Sequence, residues 1–137
     1  MKKMHQGVVL LEALLAILIL AIGLLGAIGL QARAYSALSD AGMRGEATIA
    51  TENLAGAMSN DQLNLADYAL AAAGTPSARL LAWHGATRAA IPGATILITV
   101  TPALDLSRTE VRVLISWSRK ADTPIHLHDV IFYIAPS

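Results

Sequence analysis

The chain contains no cysteine, few aromatic residues and no excess of charge of either sign. Without cysteine neither a disulfide framework nor a thiolate metal site can form, so the fold must depend on packing alone. Ten basic residues balance ten acidic ones, which gives no support for a nucleic-acid-binding surface. The sequence also lacks a glycine-rich phosphate loop and a nucleophile elbow. These absences argue against most enzyme classes, and we expect no cofactor.

One long apolar segment lies near the start of the chain. The run from Val8 to Leu30 contains a single charged side chain, Glu12. As a helix this run would be about 34 Å long, enough to cross a hydrocarbon core of about 30 Å. It is too long for a secretory signal peptide, whose apolar part has about 7–15 residues. Lys2 and Lys3 precede it, so the positive-inside rule places the N-terminus in the cytoplasm and the C-terminal part outside.

Glu12 is the unusual residue of this apolar run. An ionised side chain at the bilayer centre costs about 2.5–3.5 kcal/mol on insertion scales and somewhat less near the interface. A plain membrane anchor gives no reason to keep such a residue, although an acid near the interface can extend its carboxylate toward water. The alternative is that Glu12 has a positively charged partner.

The residues around Glu12 resemble a known signal. Lys2-Lys3-Met4-His5-Gln6-Gly7, followed by Val8-Val9-Leu10-Leu11-Glu12, resembles the class III signal of type IV pilins and of the pseudopilins of type II secretion. The resemblance implies that a prepilin peptidase cuts after Gly7, that Val8 becomes the N-methylated terminus, and that Glu12 is the fifth residue of the mature chain. The family more often has Phe or Met where this chain has Val8. In a staggered filament, Glu12 would pair with the α-amine of another subunit and so fix the register.

A second run narrows the resemblance. The sequence from Ala21 to Gln31, AIGLLGAIGLQ, is similar to the minor pilins called PilV, the type IV pilus modification group. Major pilins usually have a proline near Gly29. The resemblance implies as partners the prepilin peptidase, other minor and major pilins, an inner-membrane assembly platform and, before assembly, the lipid bilayer. It also implies a single-pass protein of the bacterial inner membrane with a periplasmic C-terminal part, which later enters the pilus.

Three glycines recur in the apolar run, at Gly23, Gly26 and Gly29. Small residues allow apolar helices to approach one another closely in lipid, so we expect this stripe to pack against other helices. The alternative is that the glycines have no such role, since glycine is common in transmembrane helices.

The remaining sequence predicts an α+β, pilin-like fold in which a long N-terminal helix packs on a small C-terminal antiparallel sheet. We divide the chain into a leader (1–7), the transmembrane half of the helix (8–30), its soluble half (31–58), a connecting loop region (59–93) and the sheet (94–137). The soluble half carries an apolar stripe at helical spacing, which we expect to pack on the sheet: Met43, Ala47, Ala50, Leu54 and Met58. Within the loop region we expect short helical turns, with Ala86 to Ala94 as a loop that enters the sheet.

Three strands are predicted, at Ala94 to Thr101, Thr109 to Ser118 and Ile125 to Ile134, with a turn from Arg119 to Pro124. Apolar residues alternate regularly in the first two. In the third strand the apolar residues change from odd to even positions. This change favours a bulge near His128 and Asp129, although a strand buried on both faces would not need one.

A histidine pair is the one candidate for chemistry. His126 and His128 project to the same side of a strand, and a zinc site would need a third ligand, such as His84 or Asp129. We interpret the pair as part of an exposed hairpin face, with no metal site and no enzyme activity. The aromatic residues are expected in the core or at its rim: Trp83, Trp117, Phe132 and Tyr133.

The sequence therefore predicts a minor pilin, a structural subunit that initiates or modifies pilus assembly. Two alternatives stay open. A minor pseudopilin of type II secretion would have the same fold and processing, and an unprocessed membrane-anchored periplasmic binding domain would not need Gly7.

Overall fold

The computed structural model describes residues 4–102, 108–118 and 124–135. Helix α1 (Met4–Ser59) is followed by a 3-10 helix (Gln62–Tyr68), helix α2 (Leu81–Ala90) and three strands, β1 (Thr95–Pro102), β2 (Thr109–Trp117) and β3 (His126–Ile134). The predicted α+β class, with one long apolar N-terminal helix and a small antiparallel sheet, is confirmed. The chain divides into two compact units, the N-terminal unit Met1–Asp40 and the C-terminal unit Ala41–Ser137.

The N-terminal unit consists of the first part of α1, and its apolar side chains have no covering. From Val8 to Leu30 every residue is exposed, including all the large aliphatic side chains. An 18-residue window of α1 has a mean hydropathy of 3.0, and none of it is buried. A helix that is apolar on all sides is normally enclosed by other helices or by lipid. By length and composition, α1 is able to cross a membrane.

In the C-terminal unit, α1 packs through the predicted stripe. Ala47, Leu54 and Met58 are fully buried, while Met43 and Ala50 are partly buried against the same core. The stripe is therefore confirmed, because residues three and four apart share one face of a helix.

The sheet has the order β1-β2-β3, and both pairings are antiparallel. Its inner face supplies most of the core, and the fully or almost fully buried side chains on it are Ile96, Ile98, Val111, Val113, Ile115 and Trp117. These residues hold the alternate positions that the sequence predicted for the first two strands. Burial of one aliphatic side chain contributes about 1.5–3 kcal/mol, so this face accounts for much of the stability of the unit.

The predicted bulge in β3 is wrong. The register runs without interruption from Trp117 opposite His126 to Thr109 opposite Ile134. The regular pairing places both histidines on the inner face together with Val130, while the odd-numbered residues, such as Leu127, point outward. The strand is also not buried on both faces, because its outward side chains are exposed. The core tolerates the histidines because β3 lies at the sheet edge, where burial is incomplete.

The connecting region contains more helix than the sequence predicted. Residues 86–90, expected to be loop, form the second half of α2, so that prediction is wrong. This helix is short, contains Gly85 and has no side-chain cap at its start, which leaves little signal in the sequence. It is held by tertiary contacts instead: the indole nitrogen of Trp83 donates to the carbonyl of Ala50 at 2.8 Å, and Thr87 is buried. The turn predicted at residues 119–124 lies almost wholly outside the described residues.

A polar cluster joins the 3-10 helix to the segment before α2. The Asp61 carboxylate accepts hydrogen bonds from Asn64 Nδ2 at 2.6 Å, the Tyr68 hydroxyl at 3.1 Å and Arg79 Nη1 at 2.5 Å. The hydrogen bond from Asn64, followed by those from Tyr68 and the Arg79 charge, lowers the pKa of Asp61 below its usual value of 3.8. Burial, together with the bond to Asp61, raises the pKa of the Tyr68 hydroxyl.

This cluster predicts a pH dependence of stability. The pKa of Asp61 is lower in the folded chain than in the unfolded chain. Its contribution to the free energy of unfolding is therefore fully present at pH values above the unfolded-state pKa, and is lost as the pH falls through the folded-state pKa. We expect Asp61→Asn to lower the free energy of unfolding at pH 7, and the difference from the wild-type chain to shrink steadily below about pH 4. Tryptophan fluorescence during denaturant unfolding of the full chain in detergent measures both effects.

The matched control is Glu52→Gln, which alters an exposed carboxylate that makes no hydrogen bond or ion pair with any described residue. It should leave the free energy of unfolding unchanged at either pH. A difference between Asp61→Asn and wild type that stays constant from pH 7 to pH 3 would contradict the assigned role.

Candidate functional site

The predicted processing and assembly residues lie on the exposed surface of α1. Gly7 and Val8 are within the helix and exposed, and Glu12 lies one turn further along. Residues four apart face the same side of a helix, and their separation along the axis is about 6 Å. A new α-amine at Val8 would therefore begin the helix on the same face as the Glu12 carboxylate.

No described residue supplies a cation close to Glu12. The carboxylate has no hydrogen bond or ion pair within the described part of the chain. The nearest basic residue further along α1 is Arg33, more than 20 positions later, which corresponds to about 31 Å along a helix axis. Within the described residues, Glu12 therefore has no positively charged partner.

The glycine stripe is separate from this group. Gly23 lies 11 residues after Glu12, about 16 Å along the axis, and Gly26 and Gly29 follow it. A Cβ atom built on any of the three glycines would meet no other atom within 4 Å. Packing within the chain thus does not require glycine at these positions. What the glycines provide is a shallow surface on which a second helix can approach closely.

The histidine pair forms a different environment from the one predicted. His126 and His128 do share one side of β3, but they are half-buried on the inner face, so the interpretation as an exposed hairpin face is wrong. The His126 ring stacks on Trp117, with centroids 5.8 Å apart and planes at 22°. The Nε2 atom of His128 is buried without a hydrogen-bond partner among the described residues.

The proposed third ligands do not join this pair. Asp129 points to the outer face, where its carboxylate binds Arg112, and His84 belongs to α2. Within the ranges that the structure describes, no group of three or more His, Asp or Glu side chains is placed to hold a metal ion. Geometry therefore gives no support for metal chemistry at the pair.

A shallow groove lies between α1 and α2. It is lined by Glu46, Ile49, Ala50, Asn53, Trp83, Ala86, Thr87 and Ala90, and its volume is about 110 Å³. Sites for small molecules usually enclose about 300–1,000 Å³. The groove is therefore too small to indicate a metabolite site.

The outer face of the sheet has a feature that sequence reasoning missed. Leu127, Ile131 and Tyr133 are about half exposed, in a row along β3. The sequence does contain a sign of this exposed face, because apolar residues occupy both odd and even positions between 125 and 134. The predicted bulge places Ile125 and Leu127 on the same core face as the even-numbered apolar residues, and so conceals this exposed face. The comparisons with known proteins add no further assignment, since no family model, curated protein or solved structure matches the chain.

Proposed function

We propose that the chain is a minor type IV pilin of the PilV-like group, a structural subunit that initiates or modifies pilus assembly. The observation that carries this proposal is the position of Gly7, Val8 and Glu12 at the start of a continuous helix whose apolar side chains have no covering. A signal of this kind places the cleavage point immediately before the membrane-spanning run. The chain itself performs no chemistry and is the substrate of a prepilin peptidase.

Assembly follows from two properties of the N-terminal unit, its apolar surface and the carboxylate of Glu12. In the inner membrane, lipid covers the apolar surface from Val8 to Leu30, with the leader in the cytoplasm and the C-terminal unit in the periplasm. In a filament, the same surface is covered by the helices of neighbouring subunits. The carboxylate of Glu12 then pairs with the α-amine of a neighbour, which removes the cost of two unpaired charges and selects one stagger.

Processing is the first test. The intact mass and the N-terminal sequence are measured for the chain extracted from membranes of cells with and without a prepilin peptidase. We expect a chain that begins at N-methylated Val8 only where the peptidase is present. A full-length chain in both samples would contradict the proposal and would leave an ordinary anchored domain.

Two glycine variants make this test specific. Gly7→Val should remain unprocessed, whereas Gly23→Val should be cut as the wild type is. A Cβ atom meets nothing within 4 Å at either position, so a difference between them reflects recognition of the signal and not a change in folding. Equal processing of the two variants would show that Gly7 is not the recognised residue.

A minor pseudopilin of type II secretion remains the second candidate, because the signal up to Glu12 is common to both groups. The run from Ala21 to Gln31 favours the pilus subunit. Loss of surface pili and twitching in a strain that lacks the chain, with exoprotein export intact, would support the pilus. Loss of export alone would support the secretion machine.

A further inference from the structure

The two edges of the sheet are protected to different extents. At the β1 edge, Leu70 pairs with Ile98 through two backbone hydrogen bonds of 3.0 and 2.8 Å, and Pro102 ends the strand. At the β3 edge no described residue pairs with the strand on the side away from β2. Unpaired backbone N–H and C=O groups on an edge strand are a template for another extended chain.

The usual devices that block such an edge are absent from β3. The strand is nine residues long and regular, and it contains no proline, no lysine and no bulge. Apart from its histidines it has one charged residue, Asp129, whose carboxylate oxygens accept bonds of 2.9 and 2.6 Å from Arg112. Asp129 is thus neutralised within its own sheet and does not repel an approaching strand.

Exposed apolar side chains flank this edge on the outer face. Leu127 is 56% exposed, Ile131 49% and Tyr133 54%. They lie on the same outward-facing set of alternate positions as Asp129, which separates Leu127 from Ile131, and side chains of an added strand would match that spacing. Directional backbone groups together with an apolar row specify the chemistry of a ligand: an extended polypeptide with apolar side chains on one side.

One end of the row also carries a positive charge that forms no ion pair with a described carboxylate. The guanidinium of Arg108 lies 4.8 Å from the centre of the Tyr133 ring, and the Tyr133 hydroxyl donates to Glu110. Arg108 is exposed and forms no ion pair with a described carboxylate. A partner that brings a carboxylate to this end would therefore be favoured.

We propose that the free edge of β3 binds an extended segment of a different polypeptide by strand addition. The segment lies antiparallel to β3, is apolar at alternate positions that cover Leu127 and Ile131, and carries an acidic residue near its N-terminal end, beside Arg108. Backbone hydrogen bonds supply affinity, while the apolar row and the arginine supply selectivity. This inference goes beyond the proposed function and stands whether or not the leader is cleaved.

A second copy of β3 is the less suitable occupant. Its one carboxylate, Asp129, is already bound by Arg112, so a second copy brings no free acid to Arg108. The charge at Arg108 therefore favours a foreign strand over self-association.

The test uses the full chain in lipid nanodiscs and a synthetic peptide as the probe. The peptide has nine residues of alternating valine and threonine, glutamate at its second position, blocked ends and a fluorescent label. We expect saturable binding by fluorescence anisotropy.

Two further peptides carry N-methyl groups on the odd or on the even amides. Because only one set of amides can face β3, one of these peptides should lose at least tenfold in affinity and the other should not. Equal affinity of all three would overturn strand addition, as would an absence of binding.

Charge reversal tests the role assigned to Arg108. Arg108→Glu should weaken binding of the glutamate peptide at least tenfold and strengthen binding of the same peptide with lysine in its place. Arg88→Glu, at an exposed site on α2, is the matched control and should change neither affinity. Unchanged tryptophan emission would establish that both variants are folded. If Arg108→Glu leaves both affinities unaltered, the assignment of an acidic partner is wrong.

The absence of native cysteine allows the occupied edge to be located directly. Leu127→Cys should form a disulfide with a peptide that carries cysteine at its eighth position, which antiparallel pairing places opposite Leu127, whereas Thr99→Cys on β1 should not. Preferential disulfide formation between two copies of the Leu127→Cys chain, with the peptide left free, would overturn the choice of a foreign strand.

Discussion

Replacing Leu54 by alanine is expected to lower the free energy of unfolding of the C-terminal unit by about 2–5 kcal/mol. The side chain of Leu54 is 0% exposed and belongs to the stripe by which α1 contacts the core. Its truncation removes the transfer free energy of the buried carbons and leaves a cavity that the surrounding side chains fill only in part. Small domains have about 5–15 kcal/mol of stability in total, so this one change removes a large fraction of it.

The control makes the same truncation at a leucine that is exposed to solvent. Leu63, in the 3-10 helix, is 98% exposed, and Leu63→Ala should change the free energy of unfolding by no more than about 0.5 kcal/mol. Leu54→Met, which nearly keeps the volume, should cost less than about 1.5 kcal/mol. Denaturant unfolding of the full chain in detergent, followed by tryptophan fluorescence, measures all three. Similar losses for Leu54→Ala and Leu63→Ala would contradict the packing of α1 on the sheet.

Replacing Glu12 by glutamine is expected to leave processing after Gly7 intact but to reduce recovery of the chain in sheared filaments at least tenfold. The substitution keeps the size of the side chain and removes the charge that, in the proposed register role, pairs with the α-amine of a neighbouring subunit. Loss of one partner from a pair at membrane depth leaves the other charge uncompensated, at a cost of about 3–5 kcal/mol. Incorporation should therefore suffer far more than storage in the bilayer.

Glu46→Gln is the matched control for this experiment. Glu46 lies on the same helix, but in the C-terminal unit and away from the buried stripe, where water screens its charge. Immunoblots of membrane and filament fractions should show both variants processed, with only Glu12→Gln retained in the membrane. Normal incorporation of Glu12→Gln would count against the register role, and failure to process it would show that Glu12 acts earlier, in recognition by the peptidase.

The sequence predicts well those elements in which apolar residues recur with one helical or strand spacing along the whole element. The prediction of β2 as Thr109 to Ser118 agrees with the observed strand from Thr109 to Trp117, because its apolar residues, with the exception of Leu114, occupy odd positions. The stripe on α1 was equally readable from spacings of three and four. In both cases one face of the element meets the core along its full length, so the pattern and the burial coincide.

Prediction failed where tertiary contacts outweigh local pattern. In β3 apolar residues occupy both odd and even positions. Only the pairing with β2 decides that the histidines face inward and Leu127 outward. Helix α2 depends on the bond from Trp83 to Ala50, which lies 33 residues away in sequence. For the assembly residues the limit is different. The roles of Gly7, Val8 and Glu12 are implied only by a resemblance to a known signal, and Glu12 has no partner among the described residues.

The order of the strands in the sheet also affects how the chain folds. Strands β1, β2 and β3 are neighbours in the sheet in the order in which they occur in the chain. Each of β2 and β3, as it emerges, finds its pairing partner already present, and closing the short connection between the two strands costs little chain entropy. The sheet therefore grows by consecutive hairpins, a topology of low contact order that favours fast folding. A chain whose N-terminal part emerges first can thus fold in the same direction as it is delivered.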